Sequence, residues 1–283
     1  MKINVGILLS YDYEYLKNSL PTIYNEADTV TLALDENLTS WNGEKFSIDP
    51  SFFTWLEQFD VEKKVKIYRD NFYVPTLNTM QNDTRERNML AKQMGEGWNI
   101  QLDSDEYFIN FKGFTEYLRK HKSLRKKPTQ ICPFWITLFR RLDDGVLYIR
   151  KPDPFTIGSN QPKFTAARKS KGQFKAYVPF IVLHQSWART EEELDKKLRN
   201  WSHNDDFNVE EYVNFWKNLS KDNYRDVKDF HPLSPTAWNK LDYVPGRTMQ
   251  EIIANISNNL PEIDESFIFK KNLGQKIKHF RFF

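Results

Sequence analysis

An α/β fold with a largely parallel sheet is the architecture this 283-residue chain predicts, because short apolar runs alternate with amphipathic stretches through its first hundred residues. The runs at Asn4 to Leu9, Thr29 to Leu34, Val65 to Tyr68 and Trp98 to Leu102 have strand length, and polar residues follow each one. Helical patterns separate them at Tyr13 to Tyr24, Ser51 to Phe59 and Thr84 to Met94, the second opened by Asp49-Pro50-Ser51. Sheets of this kind bind ligands beyond the carboxyl ends of their strands, so the polar residues just past each run are the ones to inspect.

After residue 110 the pattern changes. A helix is expected near Phe114 to His121, then strands at Gln130 to Arg140 and Val146 to Ile149 joined by Asp143-Asp144-Gly145 as a hairpin, which makes the sheet mixed. Lys151 to Lys175, rich in Pro, Gly, Ser and Lys, reads as a long surface loop of the sort that carries function. A strand at Tyr177 to Leu183 ends at His184. Thr190-Glu191-Glu192-Glu193 then resembles a capping box for a helix carrying Leu194, Leu198 and Trp201, and further helices are expected at Val209 to Leu219 and Thr248 to Asn258. The expected division is a sheet domain over 1–205 and a helical C-terminal extension over 206–283.

With 40% hydrophobic and 28% charged residues the chain can bury one sizeable core. A net charge of +3 argues against a nucleic-acid partner. Cys132, the single cysteine, has no intrachain partner, and Ile3 to Leu9 reads as a strand instead of a signal peptide, so a reducing, cytoplasmic location is expected. No apolar run approaches the ~20 residues that span a bilayer.

The strongest chemical signal is Trp98-Asn99-Ile100-Gln101-Leu102-Asp103-Ser104-Asp105-Glu106, an apolar strand running into three carboxylates. Mn²⁺ or Mg²⁺ takes hard oxygen ligands and is commonly held by one or two carboxylates plus substrate phosphates, which makes Asp103 and Asp105 candidate metal ligands. The bland alternative is a solvated acidic turn. His184, leaving a strand far away in sequence, is a candidate third ligand, set against an ordinary structural histidine.

At these residues the chain resembles a family-2 glycosyltransferase with the GT-A fold, of the bacterial lipopolysaccharide and capsule type, over roughly residues 3 to 203. Val5-Gly6-Ile7-Leu8-Leu9-Ser10, Thr29-Val30-Thr31-Leu32-Ala33-Leu34-Asp35, the Thr84-Arg85-Glu86-Arg87-Asn88-Met89-Leu90-Ala91 helix and Asp103-Ser104-Asp105-Glu106 carry the likeness. It implies a Rossmann-like mixed sheet flanked by helices, with a C-terminal helical appendage. It also implies inverting, metal-dependent transfer of a sugar from a nucleoside-diphosphate donor to a glycan or lipid-linked glycan hydroxyl; a UDP-sugar is favoured only as the commonest donor.

By that likeness Asp35 would contact the donor base and Arg87 the nucleotide or phosphates. Arg85, two residues away on the helix and so on another face, is a further candidate donor contact, with a solvated position or pairing to Glu86 or Asp83 as the alternative. Lys163 and Arg168, in the loop, are candidate phosphate contacts, with solvated loop charges as the alternative. Inversion needs a carboxylate to deprotonate the acceptor, and Glu106 and Asp153 are the candidates. The sequence departs from the family where Asp35-Glu36-Asn37 replaces an Asp-Gly-Ser-x-Asp turn, and where a Glu-Asp pair is missing. Trp187 is a candidate for stacking on an acceptor sugar, or else a core residue.

Two rivals stand beside this reading. A catalytically silent glycan-binding or scaffold protein would keep the fold without the chemistry. A sugar-1-phosphate nucleotidyltransferase would show a Gly-rich, basic loop after the first strand, where this chain has Ser10-Tyr11-Asp12-Tyr13. The tail alternates Phe267, Ile268, Phe269, Leu273, Ile277, Phe280 and Phe282 with Lys270, Lys271, Lys276, Lys278 and Arg281, which suits either peripheral contact with anionic lipid or packing on the domain.

Overall fold

Every residue of strand β1 (Ile3–Leu9) is buried, as expected for a parallel strand covered on both faces. Its neighbours come in chain order in a computed structural model that describes residues 1–199 and 207–280. They are α1 (Leu16–Ile23), β2 (Thr29–Asp35), α2 (Pro50–Phe59), β3 (Val65–Asp70), α3 (Thr79–Met94), β4 (Trp98–Asp103), β5 (Glu106–Phe108) and α4 (Phe111–Lys120). The mixed part comprises β6 (Thr129–Leu142), β7 (Gly145–Ile149), β8 (Asp153–Pro154), β9 (Gly158–Ser159) and β10 (Phe174–His184). The chain continues through α5 (Glu191–Arg199), α6 (Val209–Lys217), β11 (Leu241–Pro245), α7 (Met249–Asn258) and α8 (Glu265–Phe280). The result is a mixed α/β sheet architecture flanked by helices. Trp201, Ser202, the boundary expected at residue 205, and Arg281 and Phe282 of the tail lie outside the described residues.

Contacts divide the chain into two compact units, Met1–Pro133 with Pro154–Phe180 and Asp264–Phe283, and Phe134–Asp153 with Ile181–Ile263. A single break in sequence does not separate them. The β6–β7 hairpin falls in the second unit, and α8 in the first, because the Asn272 side chain bonds both the N–H and the carbonyl of Tyr177 and Gln275 accepts from the Lys175 N–H.

In the first unit the strands run in the order β6, β9, β4, β1, β2, β3, with β4, β1, β2 and β3 parallel. The order reverses at β1, whose neighbours are β2 and β4, so a topological switch point lies between β1 and β4. Their register sets Leu8 opposite Asp103 and Asp35 opposite Asp70, which gathers the carboxyl ends of the strands on one edge. Helix α3 covers this sheet closely at Gly6, where an added Cβ would stand 2.6 Å from the Met94 sulfur and 2.8 Å from Leu90 Cδ2.

The segment expected as a surface loop after Lys151 behaves differently. Gly158–Ser159 is buried and pairs antiparallel with both β4 and β6. A Cβ on Gly158 would lie 2.3 Å from the Asn99 carbonyl oxygen, so only glycine lets the backbone come this near. Side chains fix the stretch from Ser159 to Gln173: Ser159 Oγ donates to Gln173, Gln173 to the Gln161 carbonyl, and Gln130 to the Arg168 carbonyl.

The second unit packs the far half of β6 against β7, and β7 against β11, antiparallel, with Asp143 and Asp144 forming the two-residue connection of the hairpin. Its core is aromatic, with Phe139, Trp187, Trp216, Tyr224, Phe230 and Trp238 all buried. Trp187 is therefore a core residue here, 5.8 Å from Phe139 and 5.1 Å from Tyr212 between ring centroids. The Thr190 box forms as expected, Thr190 exchanging hydrogen bonds with Glu193.

Candidate active site

Helix α3 begins with a capping box between Asn78 and Gln81, five residues before the start that the sequence suggests. It turns an unusually polar row toward the sheet: Asn82, Asp83, Glu86 and Arg87 are all buried. Asn82 accepts from the Val74 N–H and donates to the carbonyls of Trp41, Val74 and Leu77, which ties the chain after β2 and β3 to the helix. On β4, alternation puts Asn99, Gln101 and Asp103 on the same side. Gln101 donates to the Arg87 carbonyl and Asn99 to the Gly95 carbonyl, so this polar row faces α3.

Two arginines converge there. Arg87 donates to Asp83 at 2.5 Å and to Asp103 Oδ1 at 2.8 Å. Arg168 reaches Asp103 Oδ2 at 3.0 Å and grips both Glu106 oxygens at 2.7 and 2.8 Å, while also donating to the Gln101 carbonyl. Arg168 arrives from a tight turn over Ala166 to Lys169 in which Ala167 takes φ +45°. Asn88 holds that segment at the Phe164 peptide, and Thr84 Oγ1 accepts from the Ala167 N–H.

Burial opposes the charge on both guanidiniums, yet Asp103 with Asp83 holds Arg87 above its ordinary pKa, and Glu106 with Asp103 does the same for Arg168. Burial likewise works against ionised Asp103, but Arg87 and Arg168 outweigh it and keep the carboxyl below its usual range. The opposite holds for Glu86. Burial drives its pKa up to about 8, against the Trp41 indole N–H that donates to it at 2.5 Å.

The predicted residues thus take several distinct places. The buried Arg87 and Arg168 share the partly exposed Asp103, and Arg168 also pairs with the buried Glu106. Glu106, expected as a candidate base, is fully buried in a bidentate ion pair with Arg168. Asp35 lies on the same strand edge, but Oδ1 accepts from the N–H groups of Asn37 and Thr39 and Oδ2 from those of Phe72 and Tyr73. Those four bonds make it an anchor of the loops after β2 and β3. Arg85 performs similar work, donating to the Asn71 and Phe72 carbonyls. Lys163 is exposed.

Asp105 is buried in the β4–β5 turn, and its neighbour Ser104 donates to Asp12 Oδ1 at 3.0 Å, joining the segments after β1 and β4. His184 and Asp153 belong to the second unit. The His184 ring lies 4.8 Å from that of Trp135. Asp153 has its pKa raised by burial against a hydrogen bond from Trp238.

A divalent cation does not fit at Asp103 as the sequence suggested. Each of its oxygens already accepts from a guanidinium, and a cation on either would meet Arg87 or Arg168 at close range. Among the described residues, no group of three or more His, Cys, Asp or Glu side chains comes together to hold a metal ion. The ion-paired role of Arg168 is invisible in the sequence. Its partners stand 62 and 65 residues away, and only the turn-forming residues around it hint at a fixed conformation.

No family model and no curated protein matches the sequence. Among solved structures, a crystal structure of S. aureus TarS 1-349 is 12% identical over 98% of this chain and 80% of that one, with a TM-score of 0.38. A crystal structure of S. aureus TarS is 15% identical over 50% of this chain, with a TM-score of 0.31, and the chain spans only 22% of its length. HddC from Yersinia pseudotuberculosis is 14% identical over 69% of this chain and 99% of that one, with a TM-score of 0.35. Likeness this slight leaves the functional assignment to the chain's own geometry.

Proposed function

We propose that the first unit binds a nucleoside-diphosphate sugar at the carboxyl edge of β1 to β4, and that the protein transfers the sugar to a hydroxyl of a glycan or lipid-linked glycan. One observation carries this reading: the segments after β1 and β4 meet at the topological switch point through Ser104 and Asp12, and Asp103, next in sequence to Ser104, is held by Arg87 and Arg168. Open α/β sheets take their ligands in the crevice at such a switch point. Buried ions are costly, and clusters of them gather at functional sites more often than elsewhere.

The chemistry rests on charge. Glycosyl transfer releases a nucleoside diphosphate, and donors already fixed in place stabilise the charge that develops on it. Arg87, buried with its Nη1 left without a hydrogen-bond partner, would supply fixed positive charge behind the strand edge instead of a direct contact. Asp103 and Asp83 orient that guanidinium, and Trp41 lies over it at 5.8 Å. With Asp103 committed to the arginines, no step is assigned to a metal ion here.

Thermal-shift titration with UDP, GDP, CDP and ADP tests the binding half. One nucleotide should stabilise the protein, and Asp103→Asn should weaken that response at least about tenfold, the scale of a lost charge-assisted contact. Turnover is then read as nucleoside diphosphate released from the matching sugar donor, with and without EDTA. Loss of turnover in EDTA would move the neutralising charge from the arginines to a cation. Absence of any nucleotide response, or pyrophosphate release from a nucleoside triphosphate and a sugar phosphate, would overturn glycosyl transfer.

A further inference from the structure

Helix α8 has two unlike faces. On one, Ile268, Asn272, Gln275 and His279 recur at helical spacing and are partly buried against β10, with Asn272 on the Tyr177 peptide groups and the His279 ring 5.7 Å from Phe174. On the other, Phe269, Leu273 and Ile277 recur at i, i+4 and i+8 and are 68%, 44% and 48% exposed. At 3.6 residues per turn this stripe points roughly 130° away from the packed row. Three large apolar side chains aligned in water mark an interaction surface more often than chance exposure does.

Charge says what covers it. Lys270 and Lys276 are exposed and flank the stripe, one on each side, while Lys271 and Lys278 add to the helix and Glu265 is its only acid. A second basic segment borders its last turn. The Phe174 N–H donates to the Pro128 carbonyl, just past the exposed Lys122 and Lys126, while the Phe174 ring meets His279.

We propose that this face of α8 lies in the plane of an anionic bilayer, with Phe269, Leu273 and Ile277 entering the boundary between headgroups and acyl chains and the lysines meeting lipid phosphates. A bilayer accepts a narrow convex stripe without matching relief, and lysine stems reach outward along it to the charged headgroups. No described helix is long and apolar enough to cross a membrane, so the contact is lateral. This surface belongs to the unit that carries Asp103, and it would hold that unit beside a lipid-linked acceptor.

The test is co-sedimentation of the full chain with phosphatidylcholine vesicles, with and without phosphatidylglycerol, over a range of salt. Binding is expected to the anionic vesicles and to fall with salt. Changing Phe269, Leu273 and Ile277 together to Ser should cut the bound fraction about tenfold, as should Lys270→Glu with Lys276→Glu. Circular dichroism and melting temperature should stay unchanged, since all five side chains are exposed. Three outcomes overturn the proposal: no binding to either vesicle, full binding by the folded serine variant, or a dimer in light scattering that this variant dissolves without vesicle binding.

Discussion

Two buried regions of this protein are built on opposite principles. Around Phe139, rings of Phe230, Trp238 and Trp187 stand at 5.3, 5.7 and 5.8 Å, and the polar edges find partners nearby: Trp216 donates to the Phe139 carbonyl and Tyr212 to the Phe230 carbonyl. Area removed from water and edge-to-face packing stabilise such a core. Around Asp103, by contrast, Asp83, Arg87, Glu106 and Arg168 give up hydration for one another. Desolvation takes back most of what their attraction contributes, so hydrophobic residues of like volume would serve stability as well or better. Placing that cost at the carboxyl ends of parallel strands points to use, not to support.

Removing a charge should therefore hurt more than its pair energy suggests. Arg168→Ala leaves the fully buried Glu106 without its counter-ion, while Asp103 keeps Arg87, and should lower unfolding free energy by about 3–5 kcal/mol in urea titration, with part recovered on adding Glu106→Gln. A recovery of nothing would mean that Arg168 stabilises through packing alone. In the aromatic region, Phe139→Ala should cost about 3 kcal/mol through lost contact and a cavity, by the same amount in acid and in alkali. Dependence on pH there would blur the contrast.

The third effect is a slope, the smallest of the three when taken per pH unit. Folded Glu86 keeps its proton up to about pH 8, whereas a carboxyl in the unfolded chain loses it near 4.5. Between those values unfolding releases a proton, so stability falls as pH rises, by at most about 1.4 kcal/mol per pH unit, and levels off above the folded value. Glu86→Gln should flatten that decline; an identical slope in the variant would show that Glu86 is ionised when folded.

Much of the first unit is legible because parallel strands advertise themselves as short apolar runs: all four runs form strands, whose ends lie within one or two residues of those the sequence predicts. Local chemistry also read well, as with the Thr190 box and the Asp143-Asp144 connection. What escaped was long-range. Asp35 looks like any acid after a strand until four backbone N–H groups from two loops close on it. Arg168 sits in a stretch whose Pro, Gly, Ser and Lys content suits solvent, and only folding carries it to Glu106. Strand β11 hid in a proline-punctuated region, being five residues long and ending on Pro245. Helix α3 began earlier than its apolar pattern because its buried face is polar.

The Asn272 amide has an effect beyond fixing a helix. By satisfying both peptide groups of Tyr177 it copies what an adjacent strand would offer, and it leaves that stretch of β10 with nothing for a foreign chain to zip onto. Asn272→Leu would leave those two peptide groups unsatisfied, and faster aggregation of the variant than of the parent chain in a thioflavin assay is the expected outcome.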